Sequence, residues 1–220
     1  MTESAGRLGS FIIIVIASFI FALTAGTISG KFLTGTKSLL VLIVLLAGFS
    51  LLNENLIKGT LRIARPSHTY ILKQLESTIP IDSIYSLAPG ERRSLFKNLI
   101  DHDTIHFKNI DPRILNHWME EVGYSFPSGH SLTAFLLASI LSFAIYLYQG
   151  QRVTILSFIP LMWAATVAFS RVAIGAHTSL DVSAGAALGL IISHVLLAIP
   201  LTRKIILPQT APFFERHNQK

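Results

Sequence analysis

Three short, widely separated stretches of the chain contain the side chains that a phosphate-ester hydrolase would need. They are residues 58–66 with Lys58 and Arg65, residues 127–130 (Pro-Ser-Gly-His), and Ser170-Arg171 followed by His177 and Asp181. Lysine and arginine can bind phosphate oxygens, and histidines can transfer protons or accept a phosphoryl group. Each stretch alone is weak evidence, but the three together predict chemistry on a phosphate ester.

The second stretch has the pattern of a helix start that could bind an anion. Ser128 is a favourable N-cap for the apolar run that follows it, and the N–H groups of a helix N-terminus attract anions. Gly129 would let a backbone N–H approach a phosphate closely. His130 would then lie at the rim of the site. On its own, this stretch fits a plain helix cap with a surface histidine equally well.

The third stretch pairs a histidine with a carboxylate. His177 and Asp181 are four residues apart, so they share one face if a helix begins before them. The carboxylate could then hold one ring nitrogen as N–H and leave the other free to attack. Arg171 lies at the end of the preceding apolar run and points to the same rim. Charged residues at this depth are costly unless paired or hydrated, which makes them site candidates.

The first stretch supplies the remaining cations. Lys58 offers a compact charge for phosphate, and the planar guanidinium of Arg65 can bind two oxygens. Pro66 disfavours a helix that continues through Arg65. Basic side chains that extend to a membrane interface are the alternative explanation for both residues.

Long apolar runs must position these side chains. Only 14% of the residues are charged, and a helix of roughly 20 residues crosses a bilayer core. The charge-free runs are residues 8–30, 38–52, 131–151, 153–170 and 182–202. They predict an all-α, polytopic membrane bundle of five, possibly six, spans within a single domain (1–220). The first run is too long for a cleaved signal, so we expect a retained helix.

The basic residues that flank the runs predict the orientation. Short linkers around residues 31–37, at Arg152 and from Arg203 onward would lie in the cytoplasm. The three chemical stretches would then face the periplasm or cell exterior of a bacterial inner membrane. Residues 67–124, called the cap segment below, form the one long non-spanning piece. Helical spacing of apolar residues and three proline breaks predict a small helical extramembrane cap.

Composition excludes several other classes. A net charge of +6 could suggest nucleic acid, but no basic stripe alternates with aromatic residues outside the apolar runs, so we expect no nucleic-acid partner. The chain has no cysteine, which rules out disulfides and thiol catalysis. His102 and His106 are spaced for a metal, yet no third ligand is evident. We therefore expect no metal and no cofactor.

With these residues in view, the chain resembles the type 2 phosphatidic acid phosphatase (PAP2) superfamily, whose eleven signature residues are all present at the family spacings. Further stretches resemble the bacterial branch that acts on phosphatidylglycerophosphate: Ile-Pro-Ile-Asp from Ile79, Arg92-Arg93, and His117-Trp118 through Glu121 to Phe126. That branch has three spans before the first stretch, whereas we predict two here.

The resemblance implies a role for each residue. His177 would attack phosphorus and form a phosphohistidine, with Asp181 fixing its tautomer. His130 would protonate the leaving alkoxide and then activate water. The phosphate oxygens would be held by Lys58, Arg65, Ser128, Gly129 and Arg171. Headgroup recognition could involve His117, Trp118 and Glu121.

The predicted function is therefore hydrolysis of a lipid phosphate within the membrane. The substrates expected are phosphatidylglycerophosphate, undecaprenyl diphosphate or phosphatidic acid, with lipid A as a further alternative. A transporter or lipid-binding module is the alternative from another class, but transporters carry charge near the bilayer midplane. Soluble acid phosphatases and vanadium haloperoxidases use the same motifs, and the apolar runs argue against both. The sequence does not indicate an oligomeric state.

Overall fold

All regular structure is helical within residues 7–103, 105–200 and 202, the part of the chain that this computed structural model describes. In chain order the helices are α1 (Arg7–Leu23), α2 (Ile28–Leu52), a π-helical turn (Asn53–Ile57), α3 (Lys58–Leu61), α4 (Pro66–Gln74), α5 (Ile81–Ser86), α6 (Pro89–Asp101), α7 (Pro112–Glu120), α8 (Gly129–Tyr148), a 3-10 turn (Ile155–Ser157), α9 (Ile159–Ala173) and α10 (Ser179–Ala198).

Among the residues that the structure describes, four continuous helical segments are long and apolar enough to cross a membrane. They are Ile28–Leu61, which joins α2, the π-helical turn and α3, then Gly129–Tyr148, Ile155–Ala173 and Ser179–Ala198. Helix α1 contributes a shorter apolar segment, Gly9–Leu23. The predicted helical membrane bundle is confirmed, whereas the number of five spans stays a prediction.

The linker predicted around residues 31–37 is wrong. The turn between α1 and α2 lies at residues 24–27, and Thr27 caps α2 by accepting a hydrogen bond from the Gly30 N–H. Lys31 and Lys37 therefore lie inside α2, in its first three turns. At 1.5 Å per residue, Ile28–Leu61 is about 50 Å long, against a hydrocarbon core of about 30 Å. The excess length lets both lysines stay near the interface.

Helix α8 is the centre of the bundle. One apolar cluster joins α8 to α1 and α2 and contains Phe21, Leu42, Leu136 and Ile140. On another side, Gly185 and Gly189 bring α10 so close to α8 that an added Cβ would clash with the α8 backbone. The missing side chains at these two positions therefore set how closely α8 and α10 pack.

The cap segment consists of short helices with their own apolar core. Pro80 caps α5, while Pro89 and Pro112 begin α6 and α7, so the prolines mark the breaks as predicted. Phe96 and Ile100 of α6 are buried against residues of α4 and α7. The helical character of the segment is confirmed. Its position outside the membrane stays a prediction.

Candidate active site

The helix that leads into the first stretch changes type just before Lys58. The π-helical turn Asn53–Ile57 ends at Lys58, and α3 then stops where Arg62 adopts a left-handed conformation (φ 50°). The Lys58 ammonium is buried and bonded to the Glu54 carboxylate one turn earlier. An added Cβ on Gly129 would lie 3.9 Å from the Lys58 Nζ. The first and second stretches therefore meet at the start of α8.

The second and third stretches are joined by their backbones. Ser128 caps α8 as predicted, and its Oγ accepts from the Ser131 N–H. The Ser128 N–H donates to the Asp181 carbonyl at 3.0 Å. The start of α8 is therefore held directly against the first turn of α10.

The helix begins after His177, so the condition for His177 and Asp181 to share one helix face is not met. Thr178 caps α10 and forms a reciprocal capping box with Asp181, so the helix begins at Ser179 and His177 precedes it. The turn nevertheless brings His177 Nδ1 to 3.6 Å from Asp181 Oδ2. The same carboxylate oxygen accepts from the Ser125 hydroxyl and from the Thr178 N–H. The pairing of the two residues is thus achieved by a capped turn.

The contacts of His177 indicate its tautomer. Its Nε2 lies 3.2 Å from Arg65 Nη1, and a guanidinium can only donate. Nε2 is therefore the unprotonated nitrogen, and Nδ1 carries the hydrogen. It donates to the Ser125 hydroxyl at 3.3 Å and faces the Asp181 carboxylate behind it. This is the form in which an imidazole can act as a nucleophile.

One carboxylate connects the two arginines of the site. Glu121 Oε2 lies 2.6 Å from Arg65 Nη1 and 2.6 Å from Arg171 Nη2. Arg171 is fully buried and also contacts His117 Nε2 at 2.6 Å. The position between the arginines therefore accepts an anionic oxygen, and it lies beside His177 because Arg65 contacts both groups.

Electrostatics keep the Glu121 carboxyl ionised and the His177 imidazole neutral. Burial alone raises the pKa of the Glu121 carboxyl, but His117 and the guanidinium groups of Arg65 and Arg171 outweigh burial and hold that pKa well below its usual range. Burial lowers the pKa of His177 to about 4, because Asp181 only partly offsets the loss of solvent and the two arginines lower it further. His177 is accordingly neutral at pH 7.

His130 connects the polar cluster with an apolar cavity. Its Nδ1 lies 3.8 Å from Glu121 Oε1. A cavity of about 560 Å³ opens beside it between α1, α2 and α8. Its wall has mainly apolar side chains such as Phe11 and Leu46, with His130 and Glu54 at its polar end.

The predicted recognition residues separate into two groups. His117 and Glu121 lie in the arginine cluster, whereas Trp118 packs between α7 and the α9–α10 connection. Its indole N–H donates to the Ile174 carbonyl at 2.7 Å, and its ring lies against Gly175. Trp118 therefore fixes the position of α7 and through it the two neighbouring side chains.

Two polar residues of the site were missed by sequence reasoning. Ser125 is fully buried and bonds Asp181, yet nothing in its spacing indicates this contact. Glu54 pairs with Lys58, which the four-residue spacing could have indicated. Away from the site, His106 pairs with Asp103, and His102 Nδ1 contacts the Asn98 carbonyl of its own helix.

The chain is similar to one described family and to several bacterial proteins. The family model described as PAP2 superfamily matches residues 36–205, which include every predicted site residue. Phosphatidylglycerophosphatase B of Escherichia coli and of Shigella flexneri are each 32% identical to the chain over 181 residues, covering 80% of this chain and 66% of the relative. The protein of the same name from Haemophilus influenzae is 29% identical over 147 residues, or 64% of this chain and 57% of the relative. The match therefore spans about two thirds or less of the length of these relatives.

Proposed function

Because this chain belongs to the PAP2 superfamily, we propose that it is an integral-membrane phosphatase that removes the terminal phosphate of a membrane lipid through a phosphohistidine. The observation that carries the proposal is the environment of His177. One ring nitrogen faces Asp181, and the other is unprotonated and faces the arginine cluster. A histidine with this arrangement can attack phosphorus without first losing a proton.

In the first half-reaction, His177 Nε2 forms a bond to phosphorus while the bond from phosphorus to the lipid oxygen breaks. His130, next to the cavity, donates a proton to the departing alkoxide. The ring of His177 becomes positively charged, and Asp181 stabilises it through Nδ1–H. In the second half-reaction, His130 takes a proton from water as the water oxygen attacks phosphorus. Phosphate leaves, and His177 Nε2 regains its lone pair.

Arginine and lysine would stabilise the phosphoryl group during both steps. The Glu121 carboxylate marks a position within hydrogen-bond distance of Arg65 and Arg171, and a phosphate oxygen can take its place there. Ser128 and Gly129 would contribute from the start of α8, and the Lys58 ammonium would act beside them. Three cations and a helix N-terminus supply this electrostatic role without a metal, so the proposed reaction is metal-independent.

The cavity between α1, α2 and α8 supports a lipid as the substrate. Its apolar lining suits an acyl or prenyl chain, and its polar end at His130 would place the attached phosphate in the site. We therefore propose phosphatidylglycerophosphate, undecaprenyl diphosphate or phosphatidic acid as substrates. The orientation predicted from the flanking basic residues would make the site accessible from the periplasm or exterior.

Phosphate release from a panel of detergent-solubilised lipid phosphates tests the proposal. His177→Ala should abolish release, and the intact protein should form a phosphoprotein that is stable to alkali and labile to acid. His194→Ala is the matched control, since His194 is an exposed histidine on α10 whose Nδ1 contacts the Leu190 carbonyl of its own helix. Turnover above a few per cent of wild type in His177→Ala would refute the phosphohistidine.

A further inference from the structure

The backbone of Arg65 is held by a side chain from the cap segment. Arg65 is the N-cap residue of α4 and has no capping hydrogen bond from its own side chain. Its N–H donates instead to the Tyr85 hydroxyl, at 3.0 Å, across 20 residues of sequence. The contact is buried, so no water replaces it without rearrangement. A residue of α5 therefore determines where the α4 start lies.

The Tyr85 hydroxyl is itself part of a buried chain of hydrogen bonds. It lies 2.8 Å from His68 Nδ1, and His68 Nε2 lies 3.3 Å from the Trp118 carbonyl. A carbonyl can only accept, so Nε2 carries the hydrogen and Nδ1 accepts from Tyr85. Tyr85 thus donates to His68 and accepts from Arg65. The donor and the acceptor of each hydrogen bond in this chain are therefore fixed.

Packing holds the His68 ring in this position. It is completely buried and stacks on Phe96 with ring centroids 4.0 Å apart. The Trp118 carbonyl that it meets belongs to α7, whose end carries Glu121. The hydrogen-bond chain therefore connects α4, α5 and α7, of which α4 begins after Arg65 and α7 ends before Glu121.

At the other end of the chain lies the Arg65 guanidinium. Its Nε donates to the Gly123 carbonyl at 2.8 Å, and its Nη1 lies 3.2 Å from the nucleophilic nitrogen of His177. Movement of the Arg65 backbone would displace this group from the phosphoryl oxygens. Misplacement by about 1 Å can slow an enzyme roughly 100-fold.

We propose that Tyr85 and His68 are positioning residues for Arg65, through which the cap segment sets the rate of phosphoryl transfer. The inference rests on the proposed function, because it assigns these residues a role in the same reaction. Neither residue touches the phosphate position. Both act through the main-chain N–H of Arg65.

The test is a double-mutant cycle between Tyr85→Phe and Arg65→Ala, with kcat measured per folded molecule. We expect Tyr85→Phe alone to lower kcat by about 10- to 100-fold, with a smaller change in KM. The inhibition constant for vanadate should rise by a similar factor, since vanadate mimics the transition state. In the Arg65→Ala background, Tyr85→Phe should have no further effect on kcat.

Tyr124→Phe is the matched control, because Tyr124 stacks on Tyr85 with ring centroids 4.7 Å apart. It should retain wild-type kcat. Equal kcat in Tyr85→Phe and Tyr124→Phe, or additive effects in the cycle, would overturn the inference. A merely structural role for Tyr85 would change thermal stability and leave kcat per folded molecule intact.

Two substitutions of His68 test the inference if the Tyr85→Phe protein does not fold. Gln at position 68 can accept from Tyr85 and donate to the Trp118 carbonyl, so His68→Gln should retain activity that His68→Leu loses. Equal activity of these variants would overturn the inference. Normal kcat in Arg65→Ala would refute the proposed function itself, whereas loss in Arg65→Ala without coupling to Tyr85 would refute only this inference.

Discussion

Replacing Asp181 with asparagine removes a negative charge from behind His177 but leaves an oxygen in the same place. The Thr178 N–H can only donate, and it holds one carboxylate oxygen at 2.7 Å. The asparagine carbonyl should take that position and keep the Ser125 hydroxyl as a second donor. His177 would then still direct Nδ1–H to an oxygen, so its tautomer should be preserved.

The magnitude follows from the separation of the two groups. His177 becomes positively charged when phosphorus is bound, and its Nδ1 lies 3.6 Å from Asp181 Oδ2. At an effective dielectric of about 20, unit charges at this distance attract by about 4–5 kcal/mol. The amide dipole retains part of this, so we expect a loss of about 3 kcal/mol, or roughly 100-fold in kcat. A triad whose histidine is left in the wrong tautomer loses about 10⁴-fold.

The assay is single-turnover phosphate release from a detergent-solubilised lipid phosphate. The His177→Ala protein gives the residual rate that is subtracted. Thermal melting of each variant gives the folded fraction. A decrease below about tenfold would show that the charge of Asp181 contributes little to the rate. A decrease as large as that of His177→Ala would show that the capped turn does not preserve the tautomer.

Three further outcomes are expected. Activity should survive EDTA and fall with orthovanadate, as phosphate-release assays with each reagent would show; loss in EDTA that a divalent ion restores would instead implicate a metal. Because the pKa of His177 is about 4 in the folded protein and about 6.5 unfolded, the unfolded state binds more protons between these values. The contribution of His177 to the free energy of unfolding should therefore be complete above pH 6.5 and fall by about 3 kcal/mol as the pH decreases to 4. In denaturant titrations, His177→Ala should lose this part of the pH dependence. A periplasm-only reporter should be active within residues 67–124 and silent after Lys220, and activity after Lys220 would mean that a span was miscounted.

The apolar helices, and the polar residues that the structure brings together, could be predicted because each is marked in the local sequence. Absence of charge over the length of a bilayer identifies α8 to α10, and the serine at position 128 identifies the start of α8. By contrast, the turn between α1 and α2 lies within an apolar run and ahead of two lysines. Charge marks the membrane interface better than it marks a turn, so the two lysines predict a linker where the structure has the first turns of α2.

Contacts between distant segments could not be predicted. Ser125 reaches Asp181 across 56 residues, and Tyr85 reaches Arg65 across 20. Neither pair leaves a periodic pattern, because each is created by the packing of separate helices. The position of His177 outside α10 was missed for a different reason. A four-residue spacing fits a helical turn and a capped turn equally well, and Thr178 decides between them.

Because α8 and α10 approach closely at Gly185 and Gly189, the site consists of two parts that different segments hold in place. His130 lies in the first turn of α8, and His177 lies just before α10, so main-chain contact between the helices fixes their separation. Arg65 and Glu121 come from segments outside this helix pair. Substitutions in the cap segment can therefore shift Arg65 and Glu121 while the spacing of the two histidines stays the same.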